Sequence, residues 1–175
     1  MSKVGIFFGP LNGSVNRVAD KMKAALGEEN VEMVSVNEAE VSDLERFDKI
    51  IFGISTVGKE TWDSNYSNND WNKFFPKISE ANYSGKTIAI FGLGDHVTYA
   101  GHFVNAMGVL AKELMKNGAT NIVGQVSTEG YEFEESEAVI DGKFIGLPID
   151  EDFEPELTDK RIADWIEHIK PAFGL

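Results

Sequence analysis

The sequence predicts a three-layer α/β fold, a five-stranded parallel sheet of order 2-1-3-4-5 with helices on both faces and a long insertion in the fifth strand. Three observations predict it. Apolar runs of strand length alternate with stretches at helical spacing along the chain, and that alternation marks a parallel sheet whose crossovers cover its faces. Two central runs, "DKIIFGIS" and "KTIAIFGLG", are almost continuously apolar, as strands buried on both faces must be. The 175 residues suit one sizeable core, expected as a single domain over 1–175. Right-handed crossovers then leave few ways to order five such strands, and the ligand edge lies at the carboxyl ends of strands one, three and four.

Residues 3–8 read as a buried strand stopped by Gly9-Pro10. Val15, Val18, Ala19, Met22, Ala25 and Leu26 follow at helical spacing up to Gly27. "VEMVSV" (31–36) is a second, more exposed strand, and "VSDLERF" (41–47) a brief helical turn. Residues 48–55 form the third strand, and 69–78 a helix with Asp70 near its start. Residues 86–94 are the fourth strand, 101–118 an amphipathic helix ended by Asn117-Gly118, and 121–127 the fifth strand. Residues 158–170 make a closing helix with Thr158 as its cap. Between the last two lies "TEGYEFEESEAVIDGKFIGLPI" (128–149), with alternating aromatic and acidic residues and a turn at Asp141-Gly142. It reads as a hairpin-like excursion inside or beside the fifth strand; a connection this long usually has structure of its own.

Composition narrows the function. The net charge is −13, so nucleic-acid backbones and acidic lipid surfaces are poor partners and a basic protein surface is a good one. Without cysteine there are no disulfides, thiolate metal sites or Cys nucleophiles. No apolar run reaches the ~20 residues of a membrane span, and "MSKVGIFFG" enters a strand with no leader-like features; a cytoplasmic protein is expected. No catalytic triad or metal-ligand spacing stands out.

The three strand ends that meet at the ligand edge each carry an unusual loop. In "GPLNGSVN" the backbone N–H groups of 11–15 point into a concavity at a helix N-terminus, whose dipole favours an anion. A plain turn, bent at Asn12-Gly13 with Ser14 as helix cap, accounts for the same residues. The second loop, 53–71, is long and polar, with Trp62 and Tyr66 where no core needs them. Such rings either pack back on the body or stack on a planar ligand. The third, "GLGDHVTY" (92–99), has Gly92 and Gly94 for close backbone approach, Asp95 as turn-former or ligand contact, and Tyr99 as a second exposed ring. An anion cradle and two aromatics at one edge describe a site for a phosphorylated flat ring.

With these features the chain resembles the flavodoxins, in particular their long-chain group, over nearly its whole length. "GLGDHVTYAGHFVNAMGVL" is similar to the family's Gly-x-Gly-Asp-Gln-x-Gly-Tyr loop and the helix after it, and "STEGYEFEESEAVIDGKFIGLPIDEDFEPELTDKRIADWI" to the inserted segment and final helix. The resemblance implies the flavodoxin-like fold, an FMN cofactor, and one-electron transfer between redox proteins that dock through basic surfaces, by a monomer. It implies cofactor-binding residues Gly9, Pro10, Leu11, Asn12, Gly13, Ser14 and Val15 in the first loop. Ser55, Thr56, Thr61 and Trp62 follow in the second, and Gly92, Leu93, Gly94, Asp95 and Tyr99 in the third.

The departures from the family pattern are specific. Where the family's first loop reads Thr/Ser-x-Thr-Gly-x-Thr, this chain has Pro10, Asn12, Gly13 and Val15, and the three hydroxyls are gone. At about 0.5–1.5 kcal/mol per neutral hydrogen bond the loss is roughly 1–3 kcal/mol if Asn12 restores one. In the second loop the family's Thr-Trp is matched by Thr61-Trp62, nine residues before Trp71, after a five-residue insertion; the competing alignment puts Val57 there. In the third loop His96 and Thr98 replace the usual Gln and Gly. If FMN binds, the resemblance implies Trp62 and Tyr99 on its two faces. An acidic protein then disfavours negative charge added to the ring, which makes a low-potential carrier. A cationic His96 or His102 beside the ring opposes that field below about pH 6.5. The degraded first loop leaves an alternative open, a flavodoxin-like binding or regulatory module that has lost tight FMN binding, or one that takes another flavin such as riboflavin.

Overall fold

The computed structural model describes residues 3–55, 70–97 and 100–175. Among the described residues six strands build the main sheet, five of them in the predicted order 2-1-3-4-5. β1 (Val4–Phe8) lies between β2 (Val31–Ser35) and β3 (Lys49–Ser55), and β4 (Thr87–Leu93) pairs with β3, all parallel. The outer edge of β4 carries two short parallel segments in place of one strand. β5 (Ile122–Val123) pairs with its first half at Ile88 and Ala89, and β9 (Leu147–Ile149) with its second half at Phe91, Gly92 and Leu93. The fifth strand is thus split by the insertion. The run 121–127 read as one strand divides accordingly, because Gly124 takes a φ of 87° and the chain leaves the sheet there.

Side-chain alternation sorts the core into two faces. Phe7, Ile50, Phe52, Ile88 and Ile90 pack with α2 (Val41–Arg46), α3 (Asp70–Ile78) and α4 (Asn105–Lys116) through Leu44, Phe74, Ile78, Met107 and Leu110. Val4, Ile6, Phe8, Ile51, Ala89 and Phe91 pack with α1 (Ser14–Leu26) and α5 (Thr158–Ile169) through Val15, Val18, Met22, Ile162, Trp165 and Ile166. In α1 the apolar spacing read from the sequence is the buried face at Val15, Val18, Ala19, Met22 and Leu26, while Ala25 is exposed.

Two helix starts differ from expectation. The helix expected from 101 begins as α4 at Asn105, after a 3₁₀ turn at Ala100–His102 and a left-handed Val104 with φ 47°. Thr158 is the first residue of α5 and does not cap it; its hydroxyl donates to Glu151 at 2.6 Å.

The inserted segment forms a second, antiparallel sheet of β6 (Val126–Ser127), β8 (Lys143–Phe144) and β7 (Val139–Ile140). Asp141 and Gly142, with φ 55° and 82°, make the two-residue hairpin turn between β7 and β8. The alternating stretch turns Tyr131 and Phe133 inward beside Phe103 and the buried Phe144, and leaves Glu132 and Glu134 exposed. The segment seats on α4 at Gly108, where a Cβ would lie 2.2 Å from the backbone oxygen of Glu137. Gly108→Ala is expected to cost about 1–3 kcal/mol through this clash, more than the ~1 kcal/mol that Ala gains in a helix. Urea unfolding checks this; a stabilised variant would mean that the insertion does not dock on α4.

Candidate functional site

Strand register brings three loops to one edge. Phe8 pairs with Gly53 and Gly53 with Phe91, while Ser55 pairs with Leu93. The chain therefore leaves β1, β3 and β4 along one edge of the sheet, with β3 and β4 running two residues beyond the level of Phe8. The second loop also returns to this edge. A Cβ on Gly9 would lie 3.4 Å from the Cβ of Asp70 and 3.6 Å from Cδ1 of Trp71, so the first residues of α3 sit against the end of β1. Trp71 is buried; its indole N–H donates to the Gly53 carbonyl at 3.0 Å, and its ring packs edge-on to Phe74.

The first loop turns at a cis Gly9-Pro10 bond and at Asn12, with φ 64°. The Asn12 N–H donates to Oδ1 of Asn16 at 2.9 Å. Leu11 is exposed, and Val15 points into the core beside β1, so it offers the site only its backbone. The expected Ser14 cap is corrected. Gly13 is the N-cap, so no side chain caps α1, and the Ser14 hydroxyl accepts from Nη2 of Arg17 at 2.7 Å. The N–H groups of the first turn have no partner within the helix, and that turn has no acidic residue. Uncapped amide donors at the positive end of a 13-residue helix match a phosphate in chemistry.

The third loop is built as much for packing as for a ligand. A Cβ on Gly92 would meet Met107 at 3.2 Å, and one on Gly94 would meet Cγ1 of Val104 at 2.9 Å, so both glycines let β4 press against the start of α4. The Leu93 side chain is buried. Asp95 forms the expected turn, accepting from the Val97 N–H at 2.9 Å. Ser55, Gly92, Leu93, Gly94 and Asp95 thus share the edge with residues 9–15; Thr56, Thr61, Trp62 and Tyr99 lie outside the described residues.

A buried carboxylate not singled out from the sequence locks this loop in place. Asp150, fully buried just after β9, accepts from the backbone N–H groups of His96 at 3.1 Å and of Asp152 and Phe153 at 2.9 Å, and it contacts Nδ1 of His96. Gly94 donates to the Ile149 carbonyl at 3.0 Å, one residue earlier. Burial pushes the Asp150 carboxyl up, but the bonds from Phe153, His96 and Asp152 outweigh it and hold the group below its ordinary value. Glu154 stands 3.8 Å from the His96 ring and pairs with Arg161 at 3.1 Å; Arg161 in turn covers the Tyr131 ring. A cationic His96 is therefore answered by two carboxylates inside the protein, which blunts the effect on the ring expected for it. Nearby, partial burial and then Asp95, Asp150 and Glu151 raise the Asp152 carboxyl above its usual range, a sign of dense negative charge beside the third loop.

Among the described residues no helix is long and apolar enough to cross a membrane. The flavodoxin family model matches residues 6–165. A flavodoxin of Picosynechococcus sp. is 44% identical over 176 residues, covering all of both chains. Flavodoxin 1 of Azotobacter vinelandii is 39% identical, covering 99% of this chain and 98% of its own. The Fusobacterium nucleatum flavodoxin bound to flavin mononucleotide superposes with a TM-score of 0.86 at 30% identity, over 98% of this chain and 99% of that one. A sheet of order 2-1-3-4-5, a fifth strand split by an insertion, and full-length sequence similarity agree: the chain belongs to the flavodoxin family of electron-transfer flavoproteins.

Proposed function

We propose that the chain binds FMN at the edge where β1, β3 and β4 end, and carries electrons one at a time at low potential between redox proteins. The observation that carries this reading is the uncapped, acid-free N-terminus of α1 at that edge, in a chain otherwise strongly acidic. FMN supplies the redox chemistry when bound. The chain's part is to seat the phosphate on the amides of the first turn, with Gly9, Pro10, Leu11 and Asn12 shaping the approach and Gly13, Ser14 and Val15 giving backbone donors. Ser55, Thr56 and Thr61 line the second loop, and Trp62 and Tyr99 clamp the ring faces. Gly92, Leu93, Gly94 and Asp95 form the wall along its polar edge. The surrounding negative charge opposes further negative charge on the ring and keeps the potential low.

The same charge favours redox partners with basic docking faces, by steering encounter. A monomer working in the cytoplasm fits this role. Titrating the apoprotein with FMN while following Trp and Tyr fluorescence tests the reading. One-to-one binding with strong quenching is expected, and Trp62→Ala is expected to lose part of the quenching and about fivefold in affinity, a stacked aromatic being worth ~1 kcal/mol. An unchanged titration for Trp62→Ala would move the stacking role to another residue of the second loop.

A further inference from the structure

We infer that Arg17 is a ligand of the cofactor's phosphate and takes over from the hydroxyl side chains that positions 10, 12 and 15 lack. The inference rests on FMN being bound at this edge. Arg17 lies in the first turn of α1, and its side chain leans back toward the helix start, as helical side chains do. That lean brings Nη2 to 2.7 Å from the Ser14 hydroxyl, at the mouth of the uncapped amides.

A cation at the positive end of a helix is electrostatically misplaced unless an anion joins it. The described residues offer Arg17 none locally. The first turn of α1 has no acidic residue. Asp20, one turn further on, accepts from Nδ2 of Asn16 at 3.2 Å. Among the described residues no carboxylate stands within ion-pair distance of Arg17. A phosphate seated on the first-turn amides supplies that anion, and a guanidinium meets it with a planar fork of donors.

The losses at the loop point the same way. Pro10 has no N–H, the Asn12 N–H is taken by Asn16, and Val15 is turned into the core. A guanidinium held by Ser14 compensates for the hydroxyls lost beside it, since it adds its own positive charge and a fork of donors to the hydrogen bond that a hydroxyl would give a phosphate. It also offsets, at one point, the repulsion between a phosphate and a chain of net charge −13. The consequence is a specificity: this loop tells FMN from riboflavin in part by an ion pair, where hydroxyl donors would bring no charge of their own.

The test measures dissociation constants of FMN and of riboflavin for the apoprotein, for Arg17→Ala and for Arg17→Lys, at low and high salt. The parent is expected to prefer FMN, with an affinity that falls as salt rises. Arg17→Ala is expected to weaken FMN about tenfold, to leave riboflavin unchanged and to flatten the salt dependence; Arg17→Lys recovers part of the loss. Equal FMN affinity in the parent and Arg17→Ala overturns the inference, and so does an equal loss for both flavins, which would assign Arg17 to holding the loop. A parent that binds neither flavin overturns the FMN reading itself.

Discussion

Truncating Trp71 to Ala is expected to lower stability by about 4 kcal/mol and to weaken cofactor binding with it. Removing a buried indole of this kind costs about 3–5 kcal/mol through lost burial and the cavity left behind. The Gly53 carbonyl also loses its donor, a further penalty of about 1 kcal/mol or more if it stays dry. The damage falls at the site, because Trp71 and Asp70 pack against Gly9 and fix where the second loop rejoins the body. Trp71→Phe keeps most of the packing with Phe52 and Phe74 and is expected to lose only about 1–2 kcal/mol. Urea unfolding of both variants, with an FMN titration of each, checks this. A Trp71→Ala protein as stable as the parent would contradict the placement of the indole in the core.

Replacing Asp150 by Ala is expected to cost about 3 kcal/mol. The change strips three backbone N–H groups and the His96 ring of an acceptor that is itself fully buried. The effect also has a pH signature. The folded carboxyl sits below its ordinary 3.8, so the folded state holds fewer protons than the unfolded one in acid. Asp150 therefore stabilises the fold fully above the unfolded value, and this contribution is lost as pH falls through the lower, folded value. Unfolding midpoints measured from pH 6 down to about pH 3 are expected to drop less steeply in Asp150→Asn than in the parent. Because Asp150 anchors the backbone at His96, Asp150→Ala is also expected to loosen the third loop and weaken FMN binding. Parallel stability–pH curves for parent and Asp150→Asn would contradict the assignment.

These two residues show where the sequence was informative and where it was not. The strands and the helical face of α1 were legible because periodicity is local: Val15, Val18 and Met22 announce the buried face of α1 with no tertiary knowledge. The sheet order came from the alternation of elements, and the place of the insertion within the fifth strand from the family resemblance. The split of the fifth strand was only partly legible. Val126 and Ser127 are as strand-like as Ile122 and Val123, and only the positive φ at Gly124 sends them to a different sheet. At the site, the glycines and Asp95 could be read as loop chemistry. Asp150 could not, since its acceptors serve amides 54 residues earlier as well as its own turn; the one signal was an Asp directly after the apolar "GLPI". Arg17 left a similar trace, a Ser-x-x-Arg spacing at the start of a helix whose first turn has no acidic residue. Its meaning appears only when the side chain is seen folded back onto Ser14.

The proposed function depends on an anion seat made of main-chain amides and one guanidinium, in a first loop whose one alcohol side chain is Ser14. A crystal structure of the protein grown with excess FMN examines that seat directly. The account predicts phosphate oxygens within hydrogen-bond distance of the first-turn amides of α1 and of the Arg17 guanidinium, with the ring lying across the ends of β3 and β4. Density for the ring elsewhere, or neighbouring protein atoms filling the space beside Gly13 and Ser14, would contradict it.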